Sequence, residues 1–413
     1  MFTITWGSDY AGYVNQAKSI YDGNLNQYIE DRFYLIGLSE NQRDPVYTPF
    51  GFPLLILSTF FLHNWNLLIL KVVTPISLLA IFVLSLKIFK RKKYTSLLVL
   101  PIFNPWIIDQ FRELTTELPA LVFLCLGLSS KKIRPMYFII SFLIRPSYLL
   151  FIGCFYFIDL IKSKKIFEIS KFILLLVASI LIPKLFYKVN VFGYYQINNS
   201  EDENFNYILN NVVNFNFESI EYVIYEFGRL ATLVSHPINL FVGCLLILAL
   251  IYFRNVYSLM VIVFILFHVF WPAPSYVRLF IPLIFLTIFG LIEYLNIYEV
   301  NLNNKMLGIS IVLLLSIFST KIYHQINILD MQRGPYEVES QELFDFLVQN
   351  FNEEIVGFHS PRVLTLFTNF NSYKFTSKFV ENTIIVCEIE KNVCAYPDGY
   401  KSIYKNKKYE VYK

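Results

Sequence analysis

Long apolar runs, separated by short charged or proline-rich segments, dominate the chain up to residue 323. An α-helix needs about 20 predominantly apolar residues to cross the hydrocarbon core of a bilayer. Runs near that length, several of them shortened or interrupted by proline, occupy 65–89, 94–108, 114–130, 135–161, 166–187, 238–253, 257–271, 279–296 and 306–323. This pattern predicts an all-α polytopic membrane protein.

The orientation is predicted from three clusters of lysine and arginine, at residues 87–93, 131–134 and 162–165. Short cytoplasmic loops carry an excess of these residues, so we place all three clusters in the cytoplasm. The run 135–161 then begins and ends on the same side. It must be a hairpin of two short helices, broken where Pro146 interrupts the hydrogen-bond ladder. The crossings then number about ten, and an even number places both ends of the chain on the outer face.

Three parts are predicted: a first outer loop at 1–64, a membrane core at 65–323, and a small extracytoplasmic α/β domain at 324–413. A second outer loop interrupts the core at 188–235. The tail is predicted to contain one helix and two strands, at Ser340–Phe351, Glu354–Phe358 and Thr383–Glu388. Met1 to Trp6 contains neither a signal peptide nor a spanning segment, so we expect a first crossing to be missing ahead of the loop.

The first outer loop is predicted to lie against the membrane surface. Residues 9–22 have the spacing of an amphipathic helix, with one apolar stripe formed by Tyr10, Val14, Ala17 and Tyr21, and polar residues Asn15, Gln16, Lys18 and Asp22 off that stripe. Three prolines within 45–53 argue against a regular helix there. The run 54–62 is too short to span and predicts a further interfacial segment.

Composition narrows the functional class. The chain is 55% apolar and 16% charged, which excludes an ordinary soluble globule. Its net charge of +4 is explained by the predicted cytoplasmic loops, so no nucleic-acid partner is expected. Three cysteines lie in apolar runs and are interpreted as packing residues, whereas Cys387 and Cys394 lie in the tail and can pair if the compartment is oxidising.

Two outer segments bring charged residues to the membrane edge. Asp9, ahead of the first predicted helix, can accept a proton from a nucleophile or can simply cap the helix. Between two crossings lie Asp109, Arg112, Glu113 and Glu117; here Arg112 can clamp a phosphate, and either glutamate can hold the arginine or a sugar hydroxyl. A solvated turn with an internal salt bridge is the alternative reading.

A third outer turn, Trp271 to Pro282, contributes Arg278 beside aromatic residues, although such residues also anchor helices at the interface. The hairpin break places Arg145 either at a cytoplasmic bend or at the opposite tip, and the sequence does not decide between them. Phosphate loops and metal-spaced Cys/His clusters are absent from the sequence. No cofactor is therefore expected, with a divalent metal left open, and the five histidines are interpreted as structural.

These segments occur in an order that resembles the GT-C glycosyltransferases. The resemblance is nearest to bacterial glycosyltransferase family 39, relatives of protein O-mannosyltransferases and of lipid A aminoarabinose transferase. It rests on Asp9, Tyr47 to Pro53, Arg112 with Glu117 to Pro119, Leu143 to Pro146, and Tyr276 to Pro282.

The resemblance implies that a sugar is transferred from a polyprenyl-phosphate carrier to a cell-envelope acceptor at the outer face of the cytoplasmic membrane. Asp9 would be the general base. The substrate-binding residues would be Arg112 and Arg278 at the phosphate, together with Tyr47, Glu113 and Glu117. The chain departs from the family pattern in two ways: the first family helix is missing, and a lone Asp9 stands where an acidic pair is frequent.

Two other classes compete with a transferase. A transporter or flippase of lipid-linked glycans would need polar residues along the middle of several helices and paired repeats, and neither is evident in the sequence. A polysaccharide polymerase or ligase would carry its large outer loop late in the chain, whereas 188–235 lies in the middle. We therefore expect a multi-pass membrane enzyme whose partners are membrane lipids and a lipid-linked sugar.

Overall fold

The computed structural model describes residues 9–25, 34–35, 43–44, 49–90, 92–112, 114–163, 166–187, 217–232, 236–270, 277–329, 334–352, 354–374, 382–389 and 399–413. Most of these residues are helical. The helices are α1 Asp9–Tyr21, α2 Gly51–Ser58, α3 Phe60–His63, α4 Leu67–Leu70, α5 Val73–Ile88, α6 Val99–Ile102, α7 Pro105–Asp109, α8 Glu117–Ser129, α9 Arg134–Ile144, α10 Leu149–Ser163, α11 Ile166–Tyr187, α12 Phe217–Thr232, α13 Ile238–Phe253, α14 Val256–Phe270, α15 Ile281–Ile297, α16 Asn304–Leu329, α17 Val338–Asn350 and α18 Pro361–Thr368.

Three helical segments in the described part of the chain are long and apolar enough to cross a membrane. They are Leu67–Ile88, Arg278–Ile297 and Asn304–Tyr323. Four shorter apolar helices accompany them, at Glu117–Ser129, Arg134–Ile144, Ile238–Phe253 and Val256–Val269. The helical class of the core is thus confirmed, while the count of about ten crossings stays a prediction.

The run 135–161 is a broken hairpin, as the proline predicts. Helix α9 ends at Ile144, a 3-10 turn covers Pro146–Tyr148, and α10 follows. The Arg134 guanidinium, at the start of α9, lies 3.9 Å from the Asp159 carboxylate near the end of α10 and 3.5 Å from Glu168 at the start of α11. The start of α9 and the end of α10 therefore meet at Arg134. Because these are the two open ends of the hairpin, Arg145 lies at its tip.

One end of the helical core gathers the basic clusters. Lys92 Nζ lies 3.6 Å from Glu293 near the end of α15, and the Lys93 amide donates to Asn296 Oδ1 at 2.7 Å. The Phe89 ring contacts Tyr257 at the start of α14, which in turn lies near Cys125 of α8. We call this end, which includes Arg134, the basic end, and the opposite one the Arg145 end.

Helix α1 occupies the predicted residues but is not a surface helix. Tyr10, Val14 and Ala17 are buried as expected, yet Asn15 and Gln16 on the predicted polar side are buried as well, while Tyr21 is exposed. The amphipathic prediction was wrong here because other parts of the chain cover both sides of α1. Both α2 and α18 pack against α1.

Helix α2 starts inside the proline-rich segment that was predicted to be irregular. Pro53 is the third residue of α2, within the first turn, where its missing N–H would have no intrahelical partner. Gly51, the first residue, lies directly against the backbone of Leu143 and Ile144, at the end of α9. A proline in the first turn is therefore compatible with a regular helix.

The predicted outer loop at 188–235 contains a helix, α12, over its described residues. Gly228 of α12 faces the Asn239 backbone, and Gly243 of α13 faces the Ile224 backbone. The absence of a side chain at both positions lets the two helix backbones approach closely. This contact fixes α12 along α13.

The C-terminal part is an α/β unit around a five-stranded sheet of order β4-β3-β5-β7-β6. Its strands are β3 Ile355–Phe358, β4 Asn371–Lys374, β5 Ile384–Glu388, β6 Ser402–Lys405 and β7 Tyr409–Tyr412, and a separate ribbon pairs β1 Tyr34–Leu35 with β2 Arg43–Asp44. Strand β3 runs parallel to β4 and β5, whereas β7 is antiparallel to β5 and β6. The predicted helix and two strands of this region are confirmed.

The C-terminal unit packs against the first loop. Asn15 Nδ2 of α1 donates to the Arg362 carbonyl at 3.5 Å, and Val363 of α18 belongs to the same apolar cluster as α1 and the helical core. Strand β1 also contacts β4. The two segments that were predicted to share one face of the membrane are thus in direct contact.

Candidate functional site

The structure places the predicted site residues in different detail. Glu117 lies in the first turn of α8, and Arg278 lies in the 3-10 turn Val277–Phe280. Asp9 is the first residue of α1, and Arg112 ends the 3-10 turn Gln110–Arg112; for both, only the backbone is described. Tyr47 and Glu113 lie outside the described residues.

Glu117 forms a buried ion pair with Arg145. The Arg145 Nη2 atom lies 3.4 Å from Glu117 Oε1, and Nη1 donates to Thr116 Oγ1 at 3.0 Å. The Tyr148 hydroxyl donates to the Glu117 carbonyl at 2.7 Å. The Glu117 side chain is only 3% exposed, so this carboxylate depends on Arg145 rather than on water for its stabilisation.

Local sequence explains why Arg145 meets this turn. A residue before proline is biased away from helical geometry, and Arg145 adopts an extended conformation with φ −143° and ψ 99°. Its side chain thereby leaves α9 and turns to the start of α8. Thr116, at the N-cap position of α8, accepts its bond from Arg145 and makes no capping bond of its own.

Forming such a buried pair and removing one of its partners have very different effects on the free energy of unfolding. Removing two charges from water costs several kcal/mol per ion, so a buried pair adds little net stability, but removal of one partner costs about 3–5 kcal/mol. Charged groups held at this depth in an apolar helical core are expensive and are a feature of functional sites. The Arg145–Glu117 pair is therefore the centre of the candidate site.

Contacts connect the start of the chain to this centre. The rings of Tyr13 in α1 and Phe52 in α2 are 5.0 Å apart, edge to face. Gly51, next to Phe52, touches the backbone of Leu143 and Ile144 just before Arg145. Helix α1, which begins at Asp9, is thus carried on the same end of the core as the ion pair.

The turn of Arg278 belongs to the same end. His268 of α14 lies near enough to Arg145 to interact with its charge, and its ring is 5.2 Å from Phe280, the last residue of that turn. The His268 Nδ1 atom is 2.9 Å from the Phe264 carbonyl. Segments that were singled out separately in the sequence therefore converge on one end of the core.

Helix α12 adds a charged pair beside α7. Arg229 Nη1 lies 3.2 Å from Glu226 Oε1, the Arg229 guanidinium lies over the Trp106 ring at 4.8 Å, and the Trp106 indole N–H donates to the Arg229 carbonyl at 3.2 Å. Burial raises the pKa of Glu226, and the neighbouring Arg229 opposes that rise. This network fixes the amphipathic α12 to the segment that leads to Arg112.

An apolar cavity of about 350 Å³ opens beside α8. Helices α2, α4, α5 and α8 line it, with Leu55, Leu70, Ile76, Pro119, Val122 and Phe123 among the lining residues. Pro119 lies two residues beyond Glu117, so the cavity begins within one helical turn of the ion pair. Its lining suits an aliphatic chain.

Sequence reasoning missed the partnership of Arg145 with Glu117. The signal was available in part, because an arginine before a proline inside an apolar run has to be paired. The choice of partner depended on which helices pack together. Among the described residues, no group of three or more His, Cys, Asp and Glu side chains can hold a metal ion.

Comparisons of the chain with protein families, with characterised proteins and with solved structures find no match.

Proposed function

We propose that this chain is a multi-pass membrane enzyme that transfers a sugar from a polyprenyl-phosphate-linked donor to a lipid, glycan or protein acceptor of the cell envelope. The observation that carries this proposal is the buried Arg145–Glu117 pair with Thr116, in a segment that also contains Arg112. A fixed charged pair in an apolar core, beside further arginines, suits an anionic substrate with a lipid tail.

The roles follow from the chemistry of a glycosyl phosphate. Arg112 and Arg278 neutralise the phosphate, and the Arg145–Glu117 pair holds the segment that carries Arg112 in place. Asp9 takes the proton of the acceptor hydroxyl. The acceptor oxygen then bonds to the anomeric carbon, the bond from that carbon to the phosphate oxygen breaks, and polyprenyl phosphate leaves with the electron pair.

The apolar cavity beside α8 supports a lipid-linked donor. A chain that lies among Leu55, Ile76 and Phe123 would place its phosphate near the first turn of α8. Burial of each methylene contributes about 0.8 kcal/mol, so a long aliphatic tail supplies much of the binding free energy. The polar groups at the first turn of α8 are then left to orient the reacting bond.

The predicted sidedness is supported by two independent features. Lysines and arginines gather at the basic end, which favours the cytoplasm for that end. Cys387 in the C-terminal unit is disulfide-bonded, and disulfides persist in oxidising compartments outside the cytoplasm. Through α18, α1 and α2 this unit is joined to the Arg145 end, so both features favour an outward-facing site.

The test compares envelope glycans by mass spectrometry in a deletion strain complemented with variants. Wild type should restore a sugar that the deletion loses, whereas Asp9→Asn should not, because the base is removed with little change in volume. Arg112→Lys should restore it poorly, because lysine cannot make bidentate phosphate contacts.

Matched controls are Asp22→Asn, at the exposed end of the same helix, and Arg254→Lys, between α13 and α14, and both should restore the sugar. An envelope that is unchanged by the deletion would contradict the proposed transfer. Full rescue by Asp9→Asn would remove Asp9 from the mechanism.

A further inference from the structure

Two buried polar side chains flank Arg112 and have no hydrogen-bond partner among the residues that the structure describes. They are Gln110, through Oε1, and Thr115, through Oγ1. Gln110 is 8% exposed and Thr115 is 4% exposed. A buried polar atom without a partner lowers the stability of the fold by about 1–3 kcal/mol. Such atoms are therefore rare in native proteins and need an explanation.

Their place in the fold gives that reason. Gln110 begins the 3-10 turn that ends at Arg112, and Thr115 immediately precedes Thr116, the hydroxyl partner of Arg145. The turn also contacts α5, so the segment packs against the helical core. These two polar atoms thus lie in the same short segment as Thr116 and Glu117, the partners of Arg145.

Ordinary side-chain effects do not account for them. A threonine inside an α-helix can turn its hydroxyl to a carbonyl in the preceding turn at little cost. Thr287, whose Oγ1 is also buried without a partner in the described structure, has that option within α15. That option does not apply to the Gln110 Oε1 atom, which is an acceptor and needs a donor, and Thr115 lies outside the α-helices.

We infer that Gln110 and Thr115 bind hydroxyl groups of the donor sugar and set the preference of the enzyme among sugars. This inference rests on the proposed function and deepens it. Amide and hydroxyl groups are neutral and directional, which suits a polyol rather than a phosphate. A site with buried polar groups rejects a ligand that leaves them unpaired, and this is how such residues discriminate.

The experiment uses the full chain in nanodiscs and four probes: dodecyl phosphate and its glucosyl, mannosyl and N-acetylglucosaminyl derivatives. Dissociation constants are measured for wild type, Gln110→Met, Thr115→Val and Thr115→Ser. Wild type should bind at least one glycosyl probe more tightly than dodecyl phosphate. Gln110→Met and Thr115→Val should each bind that glycosyl probe about tenfold more weakly than wild type does. Their affinity for dodecyl phosphate should equal that of wild type.

Two comparisons separate recognition from folding. Thr115→Ser keeps the hydroxyl and should keep the sugar preference, and Thr287→Val, which removes a buried hydroxyl beside a different cavity, should behave as wild type. Gln110→Met and Thr115→Val should unfold at or above the wild-type temperature, because each removes an unsatisfied polar atom. A clearly lower unfolding temperature would show that these atoms hold the fold and would overturn the inference.

Two further results would overturn either the inference or the proposed function. A full sugar preference in Gln110→Met and Thr115→Val, or none in wild type, overturns the inference even if the chain binds dodecyl phosphate and transfers a sugar in cells. Failure of wild type to bind any of the four probes, together with an unchanged envelope in the deletion strain, overturns the proposed function itself. The two failures are therefore distinguishable.

Discussion

Arg134 and Arg145, two buried arginines at opposite ends of α9, differ in what surrounds them. Arg134 donates to the Gly127 carbonyl at 3.1 Å, pairs with Asp159 and Glu168, and lies 4.7 Å from the centre of the Phe155 ring. Its partners come from the ends of α8, α10 and α11. Arg134 therefore ties helix ends together.

Arg145 has a different neighbourhood. Two of its partners, Thr116 and Glu117, are adjacent in one segment, and the same segment contains Gln110 Oε1 and Thr115 Oγ1, which have no hydrogen-bond partner among the described residues. Burial is similar for the two arginines, at 6% and 8% exposure, so burial alone does not identify a site. What distinguishes Arg145 is that Thr116 and Glu117 lie in the same short segment as Arg112, whereas the partners of Arg134 come from the ends of three helices.

The largest expected effect comes from separating the Arg145 pair. Arg145→Met leaves the Glu117 carboxylate buried without its cation and should lower the free energy of unfolding by about 3–5 kcal/mol, with loss of sugar transfer. The double variant Arg145→Met with Glu117→Leu removes both charges and should recover most of the stability without transfer. Thermal unfolding and envelope glycan analysis measure the two effects.

The other end supplies the control for this experiment. The Asp159 and Glu168 side chains are 20% and 28% exposed, so water can solvate them in Arg134→Met. That variant should lose less stability and still transfer sugar. Wild-type transfer by the double variant at the Arg145 end would refute a functional role for the pair.

The disulfide of Cys387 tests whether the C-terminal unit holds the Arg145 end in place. Removal of a native disulfide typically costs 2–5 kcal/mol, so reduction, or Cys387→Ser, should lower the unfolding temperature of the full chain. Loosening of this unit should also uncover α1 and reduce transfer. The control is Cys244→Ser at an exposed free cysteine, and equal melting with and without reductant would contradict the prediction.

Two glycines sharpen the comparison between the ends with a smaller change. A Cβ at Gly51 would meet Ile144 N and Leu143 C at 2.5 Å, so Gly51→Ala must move the backbone ahead of Arg145. We expect a cost of about 1–3 kcal/mol and reduced transfer.

At the basic end, the atoms nearest to an added Cβ at Gly127 belong to the Phe138 ring, so Gly127→Ala should lower stability without changing transfer by the folded protein. Gly153→Ala has open space around its Cβ and should be neutral or slightly stabilising. Thermal unfolding and transfer assays on the three variants check these expectations. Normal transfer by Gly51→Ala would show that the site does not depend on the packing of α2 against the end of α9.

The smallest effect is expected at a partly exposed carboxylate, Glu410, in contrast to the buried pairs. A hydrogen bond from Ser402, and then one from Lys405, lowers the pKa of Glu410 below its ordinary value. The folded pKa lies below the unfolded one, so this stabilisation is present above the unfolded pKa and is lost as the pH falls through the folded pKa. Ser402→Ala should weaken it by well under 1 kcal/mol.

Unfolding temperatures measured between about pH 3 and pH 7 should show a difference between wild type and Ser402→Ala that shrinks toward acid. In a Glu410→Gln background, the effect of Ser402→Ala on the unfolding temperature should no longer depend on pH. A constant gap across the whole range would mean that Ser402 acts through packing rather than through the charge of Glu410.

The fold was predictable where a local pattern decides it. The length of the apolar runs predicted the helices of the core, Pro146 predicted the break in the hairpin, and two β-rich segments in the tail predicted β3 and β5. Each of these depends on neighbours in sequence. The prediction for α1 was wrong because exposure of its polar side depends on α2 and α18, which are distant in sequence. The start of α2 was missed because a proline is tolerated in a first turn.

The candidate site divides in the same way. The sequence by itself determined that charged residues such as Arg112, Glu117 and Arg145 lie among apolar runs, where an uncompensated charge is too costly to persist. Only the tertiary structure decided that Glu117 pairs with Arg145, that α1 rests on the same end of the core, and that Gln110 Oε1 and Thr115 Oγ1 are buried without partners among the described residues. Pairing and desolvation depend on which distant segments pack together, and spacing along the chain does not encode that.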